Sequence, residues 1–226
     1  MKIILVGASN PEVKRLIIAI QKYRQDFEVL GFIDNDQDKK GKEFVGFPVF
    51  GGFETLDRFK EPDIYFVNLI TRDSLTRFET SKFLANSGCQ FTNLIHPSVD
   101  LMMVEIGVGN YIQEGCILQA GVRIGNNSST GALVHVGHES TIGNSVFLAH
   151  GCCISGLVHI EDGVFMGTNA TVLPRLTIGR WATIGAGAVI IDDVPDYATV
   201  VGNPAKIIHF NKNIYENADI FGKNPV

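Results

Sequence analysis

Apolar residues recur at every sixth position between Ile106 and Pro195. This stretch divides into fifteen hexads without a break in register, and the leading residue is Ile, Leu, Val or Met in every hexad except the one that begins at Thr130. Such a repeat is typical of a parallel β-helix, in which short strands meet at turns and each coil rests on the previous one. Three hexads form one triangular coil, so the repeat predicts about five coils of about 18 residues each.

The first 94 residues follow a different pattern, in which compact apolar runs alternate with amphipathic segments. A helix is predicted after Asn10, with Asn10 as its N-cap and Pro11 in its first turn, and a second helix at 74–88 ends at Gly88. The predicted strands are 2–8, 28–34, 47–51, 63–70 and 89–96. Alternating strands and helices predict a small Rossmann-like parallel sheet of the α/β class.

These two patterns divide the chain. We expect an α/β domain at residues 1–96, the β-helix domain at 97–206 and a polar C-terminal tail at 207–226.

Composition narrows the possible partners and compartments. The net charge of −5 argues against a nucleic-acid or anionic-membrane partner, since both favour basic patches. No apolar run approaches the roughly 20 residues that span a bilayer, and the apolar start of the chain reads as a buried strand rather than a signal peptide. The four cysteines show neither a pairing pattern nor a CxxC motif, which favours a reduced, cytoplasmic protein without a metal site.

The carboxyl ends of the predicted parallel strands are where such a sheet binds ligands. The first end carries a single glycine, Gly7, instead of the G-x-G-x-x-G pattern, so a dinucleotide cofactor is not expected. The helix start after Asn10 could donate backbone N–H groups to a phosphate. At the second end, Asp34, Asn35 and Asp36 either contact a ligand or form a solvated turn.

The coil length also indicates where chemistry lies in the β-helix. Residues 18 apart stack about 4.8 Å from each other, so His138 lies next to Gly156 and Gly156 next to Pro174. His138 falls at a corner and is followed by Glu139, and an imidazole beside a carboxylate is an arrangement for a general base. Gly156 offers a backbone N–H that could stabilise an oxyanion. This pair predicts acyl transfer.

A zinc cluster of His135, His138 and His150 is disfavoured, because the hexads direct these side chains to different places on the prism.

Seven motifs in their order carry a resemblance to a known family: VGAS (6–9), GFIDND (31–36), GFPVFG (46–51), LIHPS (94–98), GHESTIG (137–143), SG (155–156) and VGNPAK (201–206). With the hexads, they make the chain resemble the PglD/NeuD-type bacterial sugar acyltransferases. These are acetyl-CoA-dependent N-acetyltransferases of nucleotide-linked amino sugars, with a Rossmann-like domain followed by a left-handed parallel β-helix.

The resemblance implies a role for specific residues. The catalytic base falls on His138, with Glu139 raising its basicity, and the oxyanion-stabilising amide falls on Gly156. Acetyl-CoA would lie between two β-helices of a homotrimer, and no metal is implied. The implied contacts with acetyl-CoA are Gly156, Thr168, Ala186, Pro204 and Lys206. The implied contacts of the N-terminal domain with the nucleotide sugar are Ser9, Asn10, Pro11, Asp34 and Asn35.

The chain departs from the family pattern at three places. Asn10-Pro11-Glu12 replaces a Gly-His-Gly sequence, residues 68–71 replace an Ile-Gly-Asn strand end, and Phe147 stands where relatives often carry a second histidine. The first two changes fall in the expected nucleotide-sugar pocket, so the nucleotide, the sugar and the acetylated position are left open.

The sequence therefore predicts N-acetylation of an amino sugar on a nucleotide, such as a UDP-4-amino-sugar. Three alternatives stay open. The first is O-acetylation of a sialic-acid-like sugar or another hydroxyl compound, for which the same base would serve. The second is a non-catalytic trimeric β-helix scaffold or ligand-binding protein, which would need neither the base nor the oxyanion donor. The third is a β-helix carbonic anhydrase, which needs three zinc-binding histidines at subunit interfaces.

Overall fold

A computed structural model describes residues 1–211 and Ile220. The N-terminal part contains six strands: β1 (Lys2–Val6), β2 (Glu28–Ile33), β3 (Glu43–Phe44), β4 (Phe47–Pro48), β5 (Ile64–Asn68) and β6 (Gln90–Phe91). Its helices are α1 (Val13–Gln21), a 3₁₀ helix (Phe53–Phe59) and α2 (Ser74–Asn86). Four of the strands form a parallel sheet in the order β2-β1-β5-β6. The chain therefore changes direction across the sheet between β1 and β5, which is where ligands bind in sheets of this type.

Two local expectations differ from the structure. The predicted strand 47–51 is not part of the parallel sheet: β4 pairs antiparallel with β3, and only Val49 makes a parallel bridge, to Phe32. Pro48 in that segment has no N–H to donate to a ladder. Asn10 is not the N-cap of α1, whose cap position is Glu12. The Asn10 side chain instead accepts a hydrogen bond from the Glu12 N–H at 3.0 Å, within the turn that precedes the helix.

The β-helix has three parallel faces, named here face I, face II and face III. The strands of face I are Leu94–Ile95, Tyr111–Ile112, Ser129–Thr130, Phe147–Leu148, Phe165–Met166, Thr183–Ile184 and Ala198–Val201. The strands of face II are Ile117–Leu118, His135–Val136, Cys153–Ile154, Thr171–Val172 and Val189–Ile190. The strands of face III are Glu105–Ile106, Arg123–Ile124, Thr141–Ile142, His159–Ile160 and Thr177–Ile178.

Each hexad position has a fixed structural role. The leading residue and the fifth residue of the hexads point into the prism and form one continuous core. The fourth residue turns the corner with a positive φ in every hexad except the last, for example at Gly109, Leu133 and Glu139. Where the inward fifth residue is polar, it is bonded: the Ser128 hydroxyl donates to the Gly143 carbonyl at 2.9 Å and accepts from the Val146 N–H at 3.0 Å.

The β-helix is longer than the hexads indicate and has about six coils. The predicted strand 89–96 is split, because Gln90–Phe91 joins the parallel sheet whereas Leu94–Ile95 pairs with Tyr111–Ile112 on face I. The first coil lacks the six-residue pattern, and it was therefore missed. At the other end, Lys206–Phe210 pairs antiparallel with the last strand of face I. The rest of the predicted tail, apart from Asn211 and Ile220, lies outside the described residues. The division of the chain into three domains stays a prediction.

One buried arginine joins the two parts of the chain. Arg77 of α2 is 0% exposed, and its guanidinium donates to carbonyl groups on both sides of the junction. Its Nε donates to the Asn127 carbonyl at 2.7 Å and its Nη2 to the Gly109 carbonyl at 3.1 Å, while Nη1 donates to the Asn68 and Ile70 carbonyls at 2.5 and 3.2 Å. Burial lowers the pKa of Arg77 to about 9, so the side chain is still charged at neutral pH. No helix within the described ranges has the length and apolar character needed to cross a bilayer.

Candidate active site

The corner between face II and face III, called corner II/III and formed by residues 119–121, 137–139, 155–157 and 173–175, brings His138 against Gly156. The two residues are neighbours along the stack, since the Leu157 N–H donates to the His138 carbonyl at 2.9 Å. A Cβ atom built on Gly156 would lie 2.5 Å from His138 Nε2. The imidazole therefore rests directly on the glycine, and any larger residue at position 156 would displace the ring.

The histidine is held from its other side. His138 Nδ1 lies 3.5 Å from Glu139 Oε1, and both side chains are more than half exposed, at 55% and 68%. When the neutral ring carries its proton on Nδ1, toward this carboxylate, Nε2 has the lone pair that can accept a proton. Nε2 is also the nitrogen that lies over Gly156. The His138 backbone N–H donates to Gln119 Oε1 at 2.9 Å. Gln119 was missed by the sequence analysis, because its separation of 19 residues does not follow the stacking rule.

The Gly156 N–H lacks an acceptor among the described residues because the next coil supplies no side-chain oxygen at this corner. At the corner between face III and face I, a side-chain oxygen caps the equivalent N–H of the residue 18 positions earlier: Asn144 Oδ1 accepts from the Asn126 N–H at 2.8 Å, and Asp162 Oδ1 accepts from the Asn144 N–H at 2.7 Å. The residue 18 positions after Gly156 is Pro174, which has no such oxygen. Within the part of the chain that the structure describes, the Gly156 N–H has no acceptor.

The other histidines lie elsewhere on the prism. His150 lies at the corner between face I and face II, called corner I/II and formed by residues 113–115, 131–133, 149–151, 167–169 and 185–187. His135 is on face II, 3.7 Å through Nδ1 from Cys153 Sγ, and His159 is on face III, 2.8 Å through Nδ1 from Thr141 Oγ1. Among the described residues no group of three His, Cys, Asp or Glu side chains is arranged to hold a metal ion.

Of the predicted acetyl-CoA contacts, only Gly156 is on the same edge as His138. Thr168 and Ala186 stack on corner I/II, and neither backbone N–H has an acceptor in the described ranges. Pro204 and Lys206 lie at the end of the β-helix, where Lys206 begins the antiparallel strand. In one chain, face II thus separates the base and its oxyanion donor from Thr168 and Ala186.

The N-terminal part contains a cavity of about 420 Å³ at the switch point between β1 and β5. Of the predicted substrate contacts, Ser9, Asp34 and Asn35 line it, whereas Asn10 and Pro11 do not. Ile70 and Thr71, from the strand end that the resemblance assigned to the pocket, also line it, but the sequence analysis missed Arg72 and Thr76. They could have been found only from the strand order, which shows that the ends of β1 and β5 are adjacent.

Asp34 and Asn35 already have partners inside the chain. Asp34 Oδ2 accepts from the Ala8 N–H and from Lys39 Nζ, both at 2.8 Å, and Oδ1 accepts from the Asp36 N–H at 2.9 Å. Burial opposes the charge on Asp34, but these hydrogen bonds outweigh it and lower the pKa of the carboxyl. Asn35 Oδ1 accepts from the Phe53 N–H at 2.9 Å. These side chains therefore shape the cavity wall, whether or not a ligand also touches them.

The start of α1 has fewer unbonded backbone N–H groups than the sequence analysis expected for a phosphate site. The Val13 and Lys14 N–H groups already donate to the carbonyls of Asn10 and Pro11. The Ser9 and Asn10 N–H groups are the donors of this turn without an acceptor among the described residues. The most exposed cation of the cavity wall is Arg72, whose Nε lies 3.9 Å from Asp73 Oδ2 with the side chain 91% exposed.

Comparison with known proteins agrees with this architecture. The family description "Bacterial transferase hexapeptide (six repeats)" matches residues 157–192. The structure of PerB from Caulobacter crescentus, solved with CoA and GDP-perosamine, is 26% identical, with a TM-score of 0.81 over 92% of this chain and 98% of that one. The acetyltransferase domain of PglB from Neisseria gonorrhoeae, also solved with acetyl-CoA, is 27% identical, with a TM-score of 0.81 over 92% of this chain and 99% of that one.

A curated relative aligns with only part of this chain and with only part of its own length. The serine acetyltransferase of Buchnera aphidicola is 28% identical over 158 residues, which make up 63% of this chain and 52% of the relative. The chain thus spans about half the length of this relative.

These likenesses confirm the resemblance to sugar N-acetyltransferases of the hexapeptide-repeat type. They also confirm the predicted fold class, a Rossmann-like parallel sheet followed by a left-handed parallel β-helix. They support the prediction of an acyltransferase that uses acetyl-CoA.

Proposed function

We propose that this hexapeptide-repeat protein transfers an acetyl group from acetyl-CoA to the amino group of a nucleotide-linked amino sugar. The observation that carries the proposal is the contact of His138 Nε2 with Gly156, beside a backbone N–H that has no other acceptor among the described residues. A base and an oxyanion donor within one contact are what direct acyl transfer requires. The neighbours solved with GDP-perosamine and acetyl-CoA support both substrates by likeness.

The reaction follows from these two groups. The amine nitrogen attacks the thioester carbonyl carbon, and the carbonyl oxygen becomes an oxyanion to which the Gly156 N–H donates. His138 Nε2 takes a proton from the attacking nitrogen, and Glu139 stabilises the imidazolium that forms. When the tetrahedral adduct collapses, the carbon–sulfur bond breaks, and the thiolate of CoA receives the proton from His138. The base is then restored, and the products are the N-acetyl sugar and CoA.

A trimer built around face II would complete the site. Face I is covered by the N-terminal part, where Tyr111 is 2% exposed, and face III carries the charged Glu105 and Arg123. The outward strand residues of face II are Ile117, His135, Cys153, Thr171 and Val189, none of them Asp, Glu, Lys or Arg, and Ile117 is 58% exposed there. Packing three copies through face II puts corner II/III of one copy against corner I/II of the next. The base of one copy would then meet Thr168 and Ala186 of its neighbour, which supports a shared acetyl-CoA groove.

The N-terminal cavity would hold the nucleotide sugar. Its helix α1 contacts corner I/II, because Arg15 Nη1 lies 3.6 Å from Glu114 Oε1. The cavity of one copy would therefore open toward His138 of the neighbouring copy. Arg72 and the Ser9 N–H of the cavity wall supply a cation and a donor for a diphosphate.

Replacement of the base tests the mechanism. The variant His138→Ala should lower kcat by a factor on the order of 10² or more while acetyl-CoA still binds. Isothermal calorimetry measures the binding, and release of CoA thiol measures turnover. Near-normal turnover would remove His138 from the role of base, and a wild-type chain that binds no acetyl-CoA would favour the alternative of a non-catalytic scaffold.

A ligand screen tests the acceptor. UDP-, GDP- and dTDP-linked amino sugars should raise the melting temperature, whereas free amino sugars and amino acids should not. Each stabilising compound is then offered with acetyl-CoA beside its hydroxyl analogue. Transfer to the hydroxyl compound alone would select the O-acetyltransferase alternative, and no shift with any nucleotide sugar would contradict the role given to the cavity.

Residence in the cytoplasm stays a prediction.

A further inference from the structure

The neutral ring of His150 is held in the tautomer opposite to that of His138. His150 Nδ1 accepts a hydrogen bond from the Ala132 N–H at 2.9 Å, so the proton of the neutral ring lies on Nε2. A Cβ on Gly131 would lie 2.8 Å from His150 Nδ1, which shows how closely the ring packs on the corner. The ring is nevertheless exposed, and its Nε2–H has no acceptor among the residues described. His138 presents a lone pair to its surroundings, whereas His150 presents a hydrogen-bond donor.

His150 also lies at the level of the acyl site along the β-helix. It follows His138 by 12 residues and precedes Gly156 by six, which is two-thirds and one-third of a coil. With about 4.8 Å per coil, His150 is within about 2 Å of the level of Gly156. The two residues nevertheless lie on opposite edges of face II, on either side of the strand Cys153–Ile154. Within one chain they cannot act on the same atom.

We propose that His150 of the neighbouring copy donates its Nε2–H to the acyl oxygen held by Gly156, as the second oxyanion donor of a composite site. The inference rests on the proposed function and on packing through face II. In such a trimer corner I/II of one copy faces corner II/III of the next, and the shared three-fold axis keeps equal residues at equal levels. The proton stays on His150 throughout, and only the oxyanion it stabilises forms and collapses.

The chain supplies a matched variant for this proposal. Asparagine at the equivalent hexad position caps the preceding coil elsewhere, as Asn126 Oδ1 does for the Val108 N–H at 2.9 Å. The variant His150→Asn therefore keeps the cap on Ala132 but removes the outward Nε2–H, whereas His150→Ala removes both. We expect His150→Asn to keep the wild-type melting temperature and the KM for acetyl-CoA, with kcat at least about tenfold lower. If kcat is normal in His150→Asn and falls only in His150→Ala, His150 serves only as a turn cap, and the proposal is overturned.

Mixed trimers test whether the donor comes from another copy. Subunits carrying His138→Ala and subunits carrying His150→Asn are assembled in equal amounts. Random assembly gives about one quarter of sites with both histidines intact if the two come from different copies. Activity should therefore rise well above the mean of the two parent variants. Activity that stays at that mean would contradict the shared site.

A crosslinking measurement separates this inference from the proposed function. A chain with His138→Cys and His150→Cys is treated with a short reagent that joins two thiols. Covalent dimers and trimers on a denaturing gel, absent from either single variant, are expected because the positions meet only between copies. A wild-type chain without acetyl transfer would refute the proposed function, yet this gel would still decide whether the two corners face each other. A lack of crosslinks in the doubly substituted chain would overturn the inference.

Discussion

Replacing Pro174 with asparagine should create at corner II/III the side-chain cap that is present at the corner between face III and face I. In the neighbouring stack, an asparagine 18 residues later accepts from the backbone N–H at 2.8 Å. Pro174 occupies the same place relative to Gly156 and is exposed, so an asparagine side chain has room there. The variant Pro174→Asn therefore gives the Gly156 N–H a permanent acceptor and takes the donor away from the developing oxyanion.

The size of the effect follows from the value of one hydrogen bond. A side-chain cap on a backbone N–H contributes about 1 kcal/mol net, and it must be broken before Gly156 can donate to substrate. Since about 1.36 kcal/mol corresponds to a factor of ten in rate, kcat should fall about fivefold. The cap stabilises the fold by the same amount, but the loss of proline offsets it by roughly 0.4–1 kcal/mol through the unfolded state. The melting temperature should therefore stay nearly unchanged while activity drops.

The assay compares three proteins by steady-state kinetics and thermal melting. Pro174→Ala is the control, because it removes the proline without supplying an acceptor, and its kcat should remain at the wild-type value. If kcat falls fivefold in Pro174→Asn but not in Pro174→Ala, the loss is due to the hydrogen bond between the asparagine and the Gly156 N–H. Equal kcat in the two variants would refute the reasoning that the free Gly156 donor serves catalysis.

Three further outcomes are expected. Gly156→Ala should fold, because the backbone there does not need a positive φ, but its Cβ would displace the His138 ring and kcat should fall by about 10². Arg77→Met should lower the free energy of unfolding by roughly 3 kcal/mol in denaturant titrations, since it leaves buried carbonyl groups without donors, whereas the exposed Arg123→Met should change it by less than about 0.5 kcal/mol. Burial raises the pKa of the Cys152 thiol to about 11, so iodoacetamide at pH 8 should leave this cysteine unmodified in the folded protein, and mass spectrometry would detect labelling that contradicts this.

The sequence could predict those features that a fixed period determines. The hexads predicted the β-helix, and the coil length predicted that His138 and Gly156 would touch, because both follow from one repeat. Features that depend on strand order or on a hydrogen-bond partner could not be predicted. Arg72 enters the cavity only because β5 lies beside β1. The first coil at Leu94–Ile95 was missed because it pairs as a β-helix strand without the six-residue pattern.

The active corner can be understood from how the repeat satisfies its own backbone. Where the third hexad residue is asparagine or aspartate, as at Asn144, its oxygen caps the previous coil and the stack is closed to ligands. Proline at the same place, Pro174, removes that oxygen and leaves the Gly156 N–H as a donor, whereas glycine at Gly156 leaves the His138 N–H to donate to Gln119 Oε1 instead. Histidine at the same place serves either purpose, since His150 caps with one nitrogen and presents the other, whereas the ring of His138 turns onto Gly156 and leaves the cap unmade. The identity of this one hexad residue therefore decides, coil by coil, whether a corner is structural or reactive.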